Sequence, residues 1–294
     1  MNVRNDRLNI RAASLNLLTA ILWGGNSVSI KLALAGIPPL CLAGVRFFLG
    51  GLVVLIWAKV LGLSLRLHPN ERKGIAGLVL IFLTQIYLLN AGTAHTLASR
   101  STIFISAYPF FTTLFAHFFI PNDRISSTKI TGMVLAFGGV ISVFAESLVL
   151  SEFQYLFGDV LVLCSAMLLG ARQIYLKRLT QNMHPGKVLI WQALPSLPIF
   201  FALSALIETQ TLHIDMRILS GVLYQGLVVA GFCFILLTSL LQRYSASRLA
   251  VFGFITPVIG VIISNQLLGD PISPGILLSL ALVGAGITIV NRET

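Results

Sequence analysis

Residues 98–120 read ASRSTIFISAYPFFTTLFAHFFI, and residues 246–268 read ASRLAVFGFITPVIGVIISNQLL. Both stretches open on Ala-Ser-Arg and carry one interior proline at the same place, Pro109 in the first and Pro257 in the second, 148 positions apart. A helix needs about 20 predominantly apolar residues to cross the hydrocarbon of a bilayer, and both stretches meet that length. A chain that repeats a membrane-crossing segment is built twice, and two similar membrane halves are the usual frame of a secondary transporter.

Working outward, the same kind of apolar run occurs near 12–35, 39–63, 74–95, 99–120, 127–146, 157–178, 187–207, 217–242, 246–268 and 273–290. Of the 294 residues, 56% are hydrophobic and only 10% charged, and the mean hydropathy is +0.90, far above a soluble domain. A membrane β-barrel would show alternating segments of about ten residues, whereas these runs are longer and continuous, so they read as helices. Arg4, Arg7 and Arg11 precede the first run in the manner of a signal peptide. The run is too long for a signal core and lacks a small-residue cleavage site, so it is taken as the first span.

The net charge of +10 does not point to nucleic acid, because the basic residues stand at span ends rather than in an aromatic-interleaved stripe. With the N-terminus in the cytoplasm, most of the 20 Lys and Arg fall on the inner side, including Lys59, Arg72, Lys129, Lys177, Arg243 and Arg292. Arg100 and Arg217 fall outside, and Lys31, Arg46 and Arg172 lie within spans. That asymmetry predicts ten crossings in the cytoplasmic (inner) membrane with both termini cytoplasmic. Cys41, Cys164 and Cys233 are scattered over three spans without metal spacing and read as packing residues. The loops are too short for a soluble lid or regulatory domain.

The two copies extend beyond the opening stretch. A shift of 146 sets Gly24 on Gly170 and Lys31 on Lys177, and a shift of 147 sets the Asn122-Asp123 turn on Gly269-Asp270 and Gly139 on Gly286. Five spans, residues 12–146, therefore match five spans, residues 157–290. An odd number of crossings per copy inserts the second upside down, which predicts an all-α membrane protein of ten transmembrane helices in two inverted five-helix repeats.

The chain resembles the EamA-like transporters of the drug/metabolite transporter superfamily over nearly its whole length. The resemblance is carried by Leu22-Trp23-Gly24 with Lys31, Arg46-Phe47, Ala98-Ser99 with Pro109, and Gly132 with Gly139. In the second half it is carried by Gly158, Gly170 with Lys177, Ala246-Ser247 with Pro257, and Gly286. The usual Gly-Glu of the family after the fourth and ninth spans appears here as Asn122-Asp123 and Gly269-Asp270. The resemblance implies an inner-membrane carrier exporting amino acids or other small metabolites.

Polar groups at membrane depth single out the candidate site. A centred Arg costs roughly 2.5–3.5 kcal/mol on insertion scales, so Arg46 and Arg172 need a reason, and a pair of carboxylate anchors is the functional one. Snorkelling or the satisfaction of backbone carbonyls is the structural one. Lys31, nearer the outer interface, is expected to snorkel. Polar faces in the third, fourth and eighth spans suggest a solvated cavity: Gln85, Tyr87 and Asn90; Thr102, Ser106 and Thr113; Tyr224, Gln225 and Thr238. Asn26 and Gln192 are the repeat partners of Arg172 and Arg46. Tyr108 and Tyr175 join Tyr87 and Tyr224 as aromatic contacts to substrate. Pro109 and Pro257 interrupt helix bonding mid-span and are candidate gate hinges. Gly132, Ala136 and Gly139, with Gly275, Ser279 and Gly286, form small-residue faces for close helix packing.

Glu146, Asp159, Glu208 and Asp270 all stand at span ends, which disfavours a cationic-drug antiporter that trades drug for proton on an embedded acid. An amino acid or small carboxylate suits embedded arginines better. His95 stands near an interface and reads as structural. No HExxH, paired mid-span aspartates or GxSxG is present, so an intramembrane enzyme is excluded. The leading expectation is a metabolite exporter working by alternating access. A translocator of lipid-linked sugar or nucleotide conjugates is the alternative, followed by a passive channel. No cofactor or metal is expected; the expected partners are a small-molecule substrate, membrane lipid and optionally a second copy in a homodimer, with nucleic acid excluded.

Overall fold

The structure, a computed structural model, describes residues 3–6, 8–121, 123–128, 130–132, 134–135, 137–139, 142, 153–209 and 212–291. Arg7, Asn122, Lys129, Ala136, Glu146 and Arg292, used above, lie outside the described residues. Everything regular among the described residues is helical, apart from a single bridge between Asp6 and Tyr244.

The helices are α1 (Ile10–Gly24), α2 (Asn26–Leu34), α3 (Pro39–Val60), α4 (Arg72–Ala94), α5 (Ala98–Ile105) and α6 (Tyr108–Phe119). A short apolar α7 (Ile130–Gly139) follows. Then come α8 (Phe153–Leu179), α9 (Pro185–Ile207), α10 (Met216–Leu223), α11 (Phe234–Arg243), α12 (Ala246–Val251), α13 (Thr256–Leu268) and α14 (Pro274–Asn291). Several join end to end, and among the described residues eight helical stretches are long and apolar enough to cross a membrane, the shortest of them 22 residues. At 1.5 Å per residue that is about 33 Å, enough for the hydrocarbon. The fifth and tenth spans expected from sequence appear as shorter apolar helices, Ile130–Gly139 and Pro274–Gly286.

Among the described residues, four of the long stretches are interrupted. Gly25 separates α1 from α2. Pro109 and Pro257 occupy the first turns of α6 and α13, where a missing N–H costs nothing, so each proline restarts a helix rather than kinking one. Residues Phe252–Ile255 bridge α12 to α13 as a 3₁₀ turn, and Tyr224–Cys233 joins α10 to α11 as a π-helical stretch. Gly269 closes α13 with φ of 72°, a left-handed cap that glycine adopts without penalty.

Small residues set the helix spacing. A Cβ added at Gly158 would lie 2.7 Å from the Gly92 carbonyl oxygen, so α4 and α8 touch backbone to backbone there. A Cβ at Gly139 would lie 2.9 Å from the Ser279 carbonyl oxygen, and Ser142 Oγ donates to the Gly275 carbonyl oxygen at 3.2 Å. Gly139 and Ser142 therefore pack against Ser279 and Gly275 of α14. Phe47, Phe82, Phe200 and Phe234 form an aromatic core between α3, α4, α9 and α11. Large apolar side chains such as Phe48, Ile56, Leu80 and Leu206 cover the outside, the inverse of a soluble surface.

Candidate functional site

The interruptions converge. Trp23, Asn26 and Ser27 flank the Gly25 break; Ile105, Ser106 and Tyr108 flank the α5–α6 break; Phe234 follows the π-helical stretch; Thr256 follows the 3₁₀ turn. All of them line one central cavity, together with Arg46 of α3, Gln85, Ile86 and Leu89 of α4, and Leu169 and Arg172 of α8. Non-helical backbone at membrane depth is tolerated where it lines a cavity or is buried in protein, and here it does the first.

Arg172 is held on three sides. Its Nε donates to Gln192 Oε1 at 3.2 Å and its Nη1 to Gln85 Oε1 at 3.3 Å. Its guanidinium lies over the rings of Phe82 and Phe234, 4.8 and 4.6 Å from their centroids. Gln85 is fixed in turn, with Nε2 donating to Ser165 Oγ at 3.0 Å and its backbone carbonyl oxygen accepting from the same hydroxyl at 2.8 Å. The heptad Gly158, Ser165 and Arg172 thus forms the face that α8 turns to α4. Arg46 is different. It is 2% exposed and lies over Phe47 at 5.0 Å, yet its Nε and Nη1 are buried without a hydrogen-bond partner. Asn26 Oδ1 is likewise buried and unpartnered.

Of the residues read from sequence, Asn26, Arg46, Gln85, Ser106, Tyr108 and Arg172 come together at this cavity, and the other substrate-contact candidates do not. Tyr87 stands on the outside of the bundle, 39% exposed, one helical face away from Gln85. Asn90 is buried but turned to the start of α3, its Nδ2 donating to the Pro39 carbonyl oxygen at 2.9 Å. Tyr175 lines a separate cleft near the end of α8 with Glu71, Gly74 and Arg178. The Tyr224 hydroxyl donates to the Leu22 carbonyl oxygen at 2.6 Å, and Gln225 Nε2 donates to the Ser29 carbonyl oxygen at 2.9 Å. Both brace the broken first span from behind. The hydroxyls of Thr102, Ser106 and Thr113 turn onto carbonyls one turn back in their own helices. Phe234 and Thr256 were missed because apolar and small hydroxyl residues in a span look like packing, their only signal being adjacency to a break; Trp23 reads only as part of the Leu22-Trp23-Gly24 motif and not as a lining residue.

Charged groups cluster at the helix ends. Lys31 does not reach for an interface: its Nζ donates to the carbonyl oxygens of Thr93, Ala94 and Thr96 at 3.0, 3.1 and 2.6 Å, capping the C-terminus of α4. Its repeat partner Lys177 donates to the carbonyl oxygens of Arg4 and Tyr244, the latter at 2.7 Å. Arg100 pairs with Asp159, both buried, and Asp159 also accepts from Thr96 Oγ1 at 2.6 Å. Among the described residues no group of three or more His, Cys, Asp and Glu could hold a metal ion.

The EamA-like transporter family matches residues 10–145 and again residues 156–292. A protein of Salmonella typhimurium named "probable amino-acid metabolite efflux pump" is 30% identical over 285 residues, covering 94% of this chain and 93% of that protein. One of the same name from Escherichia coli is 27% identical over 284 residues, with the same shares covered. A solved crystal structure superposes with a TM-score of 0.76 at 17% identity, covering 96% of this chain and 98% of that one, a likeness of fold.

Proposed function

Because the chain belongs to the EamA-like transporter family, we propose that it is an inner-membrane secondary transporter that exports amino acids or related carboxylates by alternating access. It is a multi-pass membrane transporter and not an enzyme. In this reading the two shorter apolar helices complete ten crossings, the halves form an inverted pair, and both termini face the cytoplasm. Surrounding lipid and a small-molecule substrate are its partners, and a homodimer is compatible with the same arrangement.

One observation carries the substrate class: Arg46 and Arg172 line the same cavity, and no carboxylate among the described residues lines it with them. Two buried guanidinium groups without an acid form an anion site, since an uncompensated buried charge is costly and a ligand carboxylate relieves the cost. The cavity has about 40 Å³ of free space, room for a few water molecules, so the described conformation is constricted. A metabolite enters once the interrupted helices part, and that is the movement alternating access requires.

The test is counterflow in proteoliposomes preloaded with one unlabelled amino acid at a time, reading uptake of the labelled compound. Saturable accumulation that is lost in Arg172→Gln, with the variant still monodisperse, supports the assignment. Full transport by that variant removes Arg172 from the site. Single-opening currents without counterflow would replace the carrier with a channel.

A further inference from the structure

Charge and hydrogen-bond accounting in the central cavity goes one step further than a carboxylate. Resting on the transport reading above, we infer that the preferred substrate is an acidic amino acid, with two carboxylates and one amino group, rather than a neutral or basic one.

The cavity offers two cations. Among the described residues no carboxylate lines this cavity, and several are engaged elsewhere: Asp159 on Arg100, Glu71 on Lys187, and Glu208 on the N–H groups of Leu40 and Cys41. Asp123 and Asp270 hold serine N–H groups. Gln85 and Gln192 give Arg172 neutral oxygens, which take one N–H each from Nε and Nη1 and leave its charge. A neutral amino acid brings one carboxylate, which pairs one guanidinium and leaves the other without an anion. A basic one adds a third cation to a low-dielectric site. An acidic amino acid brings one carboxylate for each guanidinium.

The unpartnered atoms agree with this count. Arg46 Nε and Nη1 are buried donors without an acceptor, and a carboxylate is the planar acceptor a guanidinium fork fits best. Asn26 Oδ1 is a buried acceptor without a donor on the same cavity, and the substrate ammonium supplies one. A simple dicarboxylate would satisfy the arginines and leave Asn26 Oδ1 unpaired, at a cost that discriminates against it. Trp23 stands edge-on to Tyr108 and Phe234, with centroids 6.0 and 6.4 Å away, and these rings cover the carbon chain between the two carboxylates.

The experiment is a counterflow panel on the wild-type chain with L-glutamate, L-aspartate, L-leucine, L-lysine and succinate. A single lost charge contact is expected to give a preference of about tenfold, or about 1.4 kcal/mol, for glutamate or aspartate over leucine and lysine. Succinate is expected to exchange more weakly than aspartate, and Asn26→Leu to abolish that difference while leaving the preference over leucine. Trp23 fluorescence in a Trp57→Phe, Trp191→Phe background gives a second readout, with quenching by glutamate lost in Arg46→Gln. Leucine exchanging as well as glutamate overturns the inference and leaves the amino-acid transporter standing. Exchange of succinate alone overturns it in favour of a dicarboxylate carrier. Silence across the panel, with no quenching of Trp23, overturns the carboxylate reading itself.

Discussion

Asp270, just past the end of α13, accepts the backbone N–H of Ser99 at the start of α5, Oδ2 to N 2.9 Å. The contact has a counterpart in the other half. Asp123, just past the end of α6, accepts the N–H of Ser247 at the start of α12 at 3.2 Å and the Ser245 hydroxyl at 2.8 Å. Ser99 and Ser247 are repeat partners, and so are Asp123 and Asp270. Each proline-restarted segment therefore caps the N-terminus of the segment it repeats. The carboxylate neutralises orphan N–H groups and the positive end of the helix dipole, and ties two segments from different halves.

Removal of either cap is expected to loosen its own end alone. Asp270→Ala costs about 0.5–2 kcal/mol at the α5 terminus, the range of a lost N-cap, and Asp123→Ala costs the same at α12. Amide hydrogen exchange in detergent checks it: Asp270→Ala should speed exchange over residues 99–101 and leave 247–249 unchanged, and Asp123→Ala the reverse. Equal acceleration at both ends in each variant would mean that the caps act through global stability rather than as separate latches.

His184 gives a pH dependence at the start of α9. Its Nδ1 accepts the Gly186 N–H at 3.1 Å, and its ring lies 5.6 Å from Trp57. Partial burial holds the imidazole below its ordinary value of 6.5. Above about 6.5 the ring is neutral whether the chain is folded or not, and the cap is intact. As pH falls through that value, the unfolded chain takes up the proton first and a protonated Nδ1 cannot accept, so the contribution is lost on acidification. Exchange of the Gly186 to Val188 amides, corrected for intrinsic rate, should rise between pH 7.5 and 5, and His184→Asp should flatten that rise.

The breaks at Pro109 and Pro257 are readable from sequence because proline acts through covalent geometry, whereas the Gly25 break and the π-helical stretch at Tyr224–Cys233 carry no such mark. Arg46 and Arg172 are readable because a charge in hydrocarbon demands a reason. Neighbour identity is not readable. Helical periodicity puts Asn90 on a buried face, but only the packed chain shows that face turned to Pro39 rather than to the cavity. Tyr87 lies two positions after Gln85, and the 200° between them carries it outside while Gln85 points in. Lys31 looks like a snorkelling side chain because sequence does not reveal that the C-terminus of α4 lies within its reach.

Lys31, Thr96, Asp159 and Arg100 form a polar chain that joins α2, the end of α4, α8 and α5. Arg100 and Asp159 are 3% and 0% exposed, so the pair lies out of water, and its members depend on each other. Attraction at short range repays desolvation only while both charges are present, and a lone survivor is an uncompensated buried ion. Asp159→Ala should therefore destabilise by about 3–5 kcal/mol, far more than loss of a surface pair. Arg100→Met with Asp159→Leu removes both charges and fills the space with apolar atoms, so the double variant should recover most of the loss. Thermal unfolding in detergent, run as a double-mutant cycle with Arg100→Met and Asp159→Leu alone, reads the coupling. A double variant no more stable than Asp159→Leu would assign the loss to the Thr96 hydrogen bond and the packing at α8 rather than to the ion pair.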